Sequence, residues 1–342
     1  MRRDDTQGMT HMTHANHSPL WRAALLVAAT CLLPTTAGAQ GSALPLQQTA
    51  CTFSGMVHEL RGAMKTGSPA YRKYVLEQLK MAAKAMPAEE LLAMVSQERE
   101  PDVLEALGKA LVSKAGFVED ASLVQPLLQR AQGDADPNLR AAALKGLRAT
   151  GSVDMMARNG NVVTYEQLIR DSSPVVREAV VGNLVDESAK VYFGHDKAVS
   201  ETAVSTALAS PDPEVAAKLL REVSMEQVGS ETVGKLKGQL RAENPTLRAA
   251  SATALGGVPG AESAGATGSL VELYRNEKDP AVRKAALEGL VRLGMSGARP
   301  TLQSLRGVAP AMDPEIDAWL AALNLNLQEW HLLLREKQRI RK

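Results

Sequence analysis

The residues of this 342-residue chain best suited to metal binding or nucleophilic chemistry are six histidines and two cysteines. Beyond the first forty positions only His58, His195 and His331 remain, in distant parts of the chain, and none has a second ligand at zinc-site spacing. Cys51 stands seven residues before His58, but one such pair makes neither a metal site nor a catalytic motif. Ser263 lies between Gly260 and Gly265 as a nucleophile would, yet the spacing is wrong and no strand precedes it. The stretch Gly256 to Gly268 is glycine-rich without the Lys-Ser/Thr of a phosphate loop, and reads as a flexible connection between helices. Glu89–Glu90 and Glu119–Asp120 sit just before apolar stretches, where negative charge favours a helix N-terminus. No catalytic residue, metal site or cofactor is therefore expected, and the chain does not read as an enzyme.

Composition narrows the remaining classes. Lys and Arg number 39 against 38 Asp and Glu, a balance unlike that of proteins held to nucleic acid by bulk positive charge. Aromatic residues make up 3%, too few for a platform that stacks single-stranded bases. An apolar fraction of 45% with 23% charged residues is that of a folded protein. Two cysteines make no disulfide framework.

Residues 1–39 read as a cleaved signal peptide. Arg2, Arg3 and Arg22 precede an apolar run, residues 23–33, that is too short to span a bilayer, and Ala37-Gly38-Ala39 follows as a small-x-small cleavage site. The alternative is an uncleaved N-terminal anchor. Cleavage after Ala39 leaves Cys51 as the sole cysteine, either unpaired or joined between chains. The expected location is the periplasm of a Gram-negative cell, or outside the cell. Residues 40–55 read as a flexible lead-in.

The rest is one repeated unit. Pro69, Pro101, Pro137, Pro174, Pro213, Pro245, Pro280 and Pro314 are spaced 32 to 39 residues apart. Two residues after each stands an apolar side chain, from Tyr71 to Ile316; ten after stand Leu79, Leu111, Leu147, Leu184, Val223, Leu255 and Leu290, with Asn324 breaking the series. The residue before each proline is acidic, Ser or Asn, which reads in most units as an N-cap followed by Pro at the first helical position. A second apolar stretch precedes most of the prolines, as in Leu91 to Val95 or Leu270 to Tyr274. Each unit is thus a helix pair that buries its apolar face only by stacking. The expected fold is all-α, an α-solenoid of about eight helix pairs over residues 56–325 with no domain boundary. Residues 326–342 read as a capping helix with a solvated basic end.

Asp136-Pro137-Asn138-Leu139-Arg140, Ser173-Pro174-Val175-Val176-Arg177, Asn244-Pro245-Thr246-Leu247-Arg248 and Asp279-Pro280-Ala281-Val282-Arg283 resemble the HEAT-repeat family, in its short bacterial, PBS-lyase HEAT-like form. Tetratricopeptide repeats have a similar period but place their proline near the end of the second helix. The resemblance implies a ladder of Asp and Arg contacts between repeats, kept in full only by the third and seventh units, and a concave face lined by the proline-opened helices. On those helices, positions 4, 8 and 11 after proline are expected to face outward. Lys109, Lys145, Arg148 and Arg221 make the middle of that face basic, which suits an acidic protein partner. Tyr192–Phe193 are either a loop anchor for a partner or satellite core. The reading is a non-enzymatic envelope scaffold of unknown oligomeric state. The alternatives are a bilin-lyase-like enzyme or chromophore-protein chaperone, and a lipid-surface adaptor working through the basic tail.

Overall fold

In the computed structural model the described residues are 52–118, 121–148, 151, 153, 164–189 and 197–340, and all fall in one compact unit. The leader, Cys51, His195, Tyr192 and Phe193 lie outside them. Helices alternate in two layers. The first helices of the pairs are α1 (Phe53–Thr66), α3 (Ala88–Gln97), α5 (Gln125–Gly133), α7 (Tyr165–Leu168), α9 (Lys197–Ala209), α11 (Ser230–Gln239), α13 (Gly260–Asn276) and α15 (Arg299–Leu305). The proline-opened partners are α2 (Pro69–Ala85), α4 (Pro101–Val118), α6 (Pro137–Gly146), α8 (Pro174–Ala189), α10 (Pro213–Glu222), α12 (Pro245–Leu255), α14 (Pro280–Gly294) and α16 (Asp313–Leu323). A last helix, α17 (Trp330–Ile340), follows. Each proline-opened helix packs on its own partner and on the next proline-opened helix, from α2 through to α16. The molecule is an all-α solenoid.

Local chemistry sets the period. The side chains of Ser68, Asp136, Asp212, Asn244 and Asp279 each accept a backbone N–H from the first turn that follows their proline, and each such cap contributes about 1 kcal/mol. Leu79, Leu111, Leu147, Leu184, Val223, Leu255 and Leu290, ten residues after proline, are all buried between the layers.

Several expectations are corrected. The lead-in ends earlier than residue 55: Thr52 accepts the Gly55 N–H at 3.0 Å and starts α1 at Phe53. The glycine-rich stretch is no flexible loop, because α13 begins at Gly260 and runs through Ser263, Gly265 and Gly268; only Gly256 to Pro259 connect the helices. Asp313 does not cap α16 but lies inside it, accepting the N–H of Gly307 at 3.0 Å. Tyr71 stands at an inward position yet is 41% exposed, its hydroxyl bonded to Glu59; among the described residues no repeat stacks before the first one.

Candidate functional site

The face of the proline-opened layer is built by helical geometry. Position 8 after proline carries Glu77 and Arg221, both exposed, and Lys109, Lys145, Thr253 and Glu288, all half-buried. Position 11 behaves otherwise than expected: Val112, Gly256 and Val291 are buried, so this position lies against a neighbouring helix. Arg148 occupies it on α6, and its guanidinium donates to the Gly182 carbonyl at 3.1 Å and pairs with Asp186, both on α8. Arg148 is therefore a clamp between repeats and not a free docking charge. Lys109 is likewise engaged, by Glu105 one turn earlier on the same helix. Lys145 and Arg221 remain without an ion-pair partner among the described residues, and exposed Lys218 on α10 joins them. The basic middle of this face thus rests on Lys145, Lys218 and Arg221.

Two depressions mark the same face. One, of about 250 Å³, lies across α1, α4, α6 and the start of α8, with Arg61, Asp102, Glu105 and Asn138 among its lining residues. The other, of about 440 Å³, spans α6, α8 and α10 and includes Glu178, Lys218 and Glu222. Lys145 and Val175 line both, so Lys145 stands at the seam of a groove of mixed charge along its length. A further cleft, of about 710 Å³, opens between the sixth and seventh repeats against Lys237, Arg241 and Glu272.

The edge where the turns stack carries a ladder different in its acids from the expected one. Arg140 donates from Nε and Nη2 to the carboxylate of Asp171 in the next repeat, at 2.8 and 2.9 Å, and from Nη1 to the Asp134 and Ala135 carbonyls of its own turn. Arg248 repeats the arrangement with Glu277 at 2.6 and 3.0 Å and the Ala242 and Glu243 carbonyls. Arg177 bonds the carbonyls of Asp171 and Ser172 and approaches Asp212 at 3.5 Å. Two of the three acids stand three residues before proline, where they also accept N–H groups of their own turn: Ser173 on Asp171, Lys278 and Asp279 on Glu277. Glu98 accepts from Arg99 and Glu100 in the same way. At Asp212 the residue just before proline serves both as helix cap and as the acid nearest Arg177. Arg283, expected as a rung, instead donates to the Tyr274 carbonyl at 3.2 Å and lies over its ring.

Burial alone raises the Asp171 carboxyl; the Arg140 hydrogen bonds and the Ser173 N–H outweigh it and hold the group below the ordinary carboxylate range. Glu277 is lowered in the same way, by Arg248 and the Asp279 and Lys278 N–H groups acting against burial. A carboxylate depressed on folding stabilises fully above its unfolded pKa and loses that contribution as pH falls through its folded one. Acidification below the usual carboxylate range is therefore expected to loosen both rungs. Asp171→Asn should cost about 2 kcal/mol at neutral pH and should flatten the acid limb of a thermal-midpoint profile. An unchanged acid limb would mean the rung carries no stability.

The remaining candidates are simply placed. His58 is exposed on α1, and exposed His331 lies 3.2 Å from Glu329. Glu89 and Glu90 are exposed in the first turn of α3. Among the described residues no cluster of His, Cys, Asp and Glu could hold a metal ion, and no helix is long and apolar enough to cross a membrane.

The C-terminal basic segment is not wholly solvated. Lys337 is 4% exposed, paired with buried Glu315 of α16, and sits 4.7 Å above the Trp319 ring. Trp330 stacks on Trp319 with centroids 5.8 Å apart, and Leu333 is fully buried. The apolar face of α17 is thus spent on the solenoid, which leaves exposed Arg335 and Arg339 without the hydrophobic insertion a lipid-surface helix needs.

A solenoid of stacked helix pairs defines a helical repeat scaffold. A family model described as HEAT repeats matches residues 200–290 and 235–323, the stretch from α9 to the end of α16. Among curated proteins none matches the chain.

Proposed function

We propose that this chain is a non-enzymatic scaffold of the bacterial cell envelope that binds another protein on the face of its proline-opened helices. The observation that carries the reading is the groove shared by the two depressions, with Lys145 at its seam and in no ion pair among the described residues. Helical repeats of this class supply extended surfaces for protein interaction, because stacking leaves a long continuous face of side chains free of structural duty. An acidic segment of the partner meets Lys145, Lys218 and Arg221, steering association in a salt-sensitive way. The leader at residues 1–39, cut after Ala39, places the chain in the periplasm of a Gram-negative cell.

A photo-crosslinking side chain at position 145 is expected to capture one protein from envelope extracts. The same group at position 235, on exposed Lys235 of the first-helix layer, should capture none. Crosslinking from position 235 alone would move the interface to the opposite layer. Intact-mass measurement of the envelope form should give a chain beginning at Gln40; a retained Met1 would refute export by cleavage.

A further inference from the structure

The last helix lies where a partner would. A cap over the end of the stack would contact both helices of the final repeat, yet α17 packs chiefly on α16. Ala322, at position 8 of α16, is fully buried, whereas the charged residues and threonine at that position in other repeats are exposed or half-buried. Trp330 reaches Trp319 near the middle of α16 and Arg292 near the end of α14, 5.9 Å from its guanidinium. Lys337, two turns further on, reaches Glu315 at the start of α16. The helix therefore runs antiparallel to α16 on the outer face of the proline-opened layer. Burial there raises the Glu288 carboxyl of α14, while Lys337, Lys284 and Arg292 pull it the other way.

We infer that α17 is a built-in ligand of this face, and that the surface beneath it is a binding site for an amphipathic helix presenting an aromatic residue, leucines three and four residues later and a lysine at the seventh. Trp330, Leu333, Leu334 and Lys337 display that pattern. Trp319 and Ala322 form the apolar floor, and Glu315 is the acid that reads the lysine. The self-contact is imperfect: the Trp319 indole N–H is buried without an acceptor among the described residues. A competing helix that places a carbonyl or hydroxyl there gains a hydrogen bond α17 lacks, which gives an outside ligand its route in. The inference rests on the proposed role of this face in binding protein, and it names the recognition mode at the C-terminal end.

The test uses the full chain and a fluorescent synthetic peptide of residues 328–342. In wild type the tethered helix competes at an effective concentration of order millimolar, so peptide binding should be at least about a hundredfold weaker than in Leu333→Asp, whose α17 is released by a buried charge. Leu333→Ala, a milder release, should fall between them. A Lys337→Glu peptide should lose binding to Leu333→Asp and regain it when Glu315→Lys is added. Equal binding to wild type and the released variants would overturn the inference. So would indifference to the charge exchange, or no binding to a released variant of native helicity. These readouts use only the chain's own segment, so they succeed or fail independently of crosslinking at position 145.

Discussion

Replacing Leu147 by aspartate is expected to unfold the middle of the solenoid. Leu147 caps the C-terminus of α6 and is buried in the core at 1% exposure. Truncating a buried leucine to alanine alone costs about 2–5 kcal/mol, and a carboxylate with no partner in that apolar site adds a desolvation penalty of several more. The sum rivals the whole stability of an ordinary domain, about 5–15 kcal/mol. A stacked array transmits the loss to neighbours, because each repeat is held by the interfaces on either side. Helicity should fall over the third and fourth repeats, and amide protection should vanish there first. Val308→Asp, at an exposed site outside the helices, is the control and should melt as wild type does. A Leu147→Asp chain that melted with the wild type would show that residue ten after proline does not face the core.

Much of this arrangement is legible in the sequence, and particular residues show why. Proline fixes its own backbone angle and lacks an N–H, so Asp136-Pro137 or Asp279-Pro280 announces a helix start without any knowledge of the neighbours. The burial of Leu79 to Leu290 follows from helical period alone. The ladder was less legible, since Asp171 acquires its role from Arg140, 31 residues earlier. The clue available was the recurrence of an acid three residues before proline, at Glu98, Asp134, Asp171 and Glu277. Helix α11 offered little apolar signal, with only Thr232, Val233 and Leu236 buried, and α7 is a single turn held by its Thr164–Gln167 capping box. The candidate face divides in the same way. Lys145 and Arg221 stand outward as periodicity demands, while Arg148 turns to Asp186 because position 11 meets the next helix. The amphipathic pattern of α17 is plain in sequence, but the surface it chooses is decided by Glu315 and Trp319, which only the fold brings to it.

The closest approaches between repeats lead to the second large effect. A Cβ on Gly289 of α14 would stand 2.6 Å from the Ala252 carbonyl oxygen, and one on Gly256 would stand 2.7 Å from the Gly289 Cα. Gly108 and Gly146 meet in the same manner between α4 and α6, where a Cβ on Gly108 would lie 2.9 Å from the Gly146 Cα. Backbone cannot yield as a flexible side-chain end can, so a larger residue here must push two helices apart. Gly289→Val is therefore expected to cost about 3 kcal/mol or more through overpacking and lost contacts. The harm should be greatest at the interface between the sixth and seventh repeats, since each repeat touches only its neighbours. Hydrogen exchange should rise in α12 and α14 and little in α2 or α4. Gly268→Val on α13, where a Cβ meets nothing within 4 Å, tests the local cause, because it changes the same residue type without the clash. It should lose no more than a few tenths of a kcal/mol, the ordinary scale for an exposed helical site. Equal destabilisation by the two variants would mean that valine in a helix, and not the approach of backbones, sets the cost. A much larger loss at Gly289 would identify the glycine contacts as what lets the proline-opened helices stack so closely.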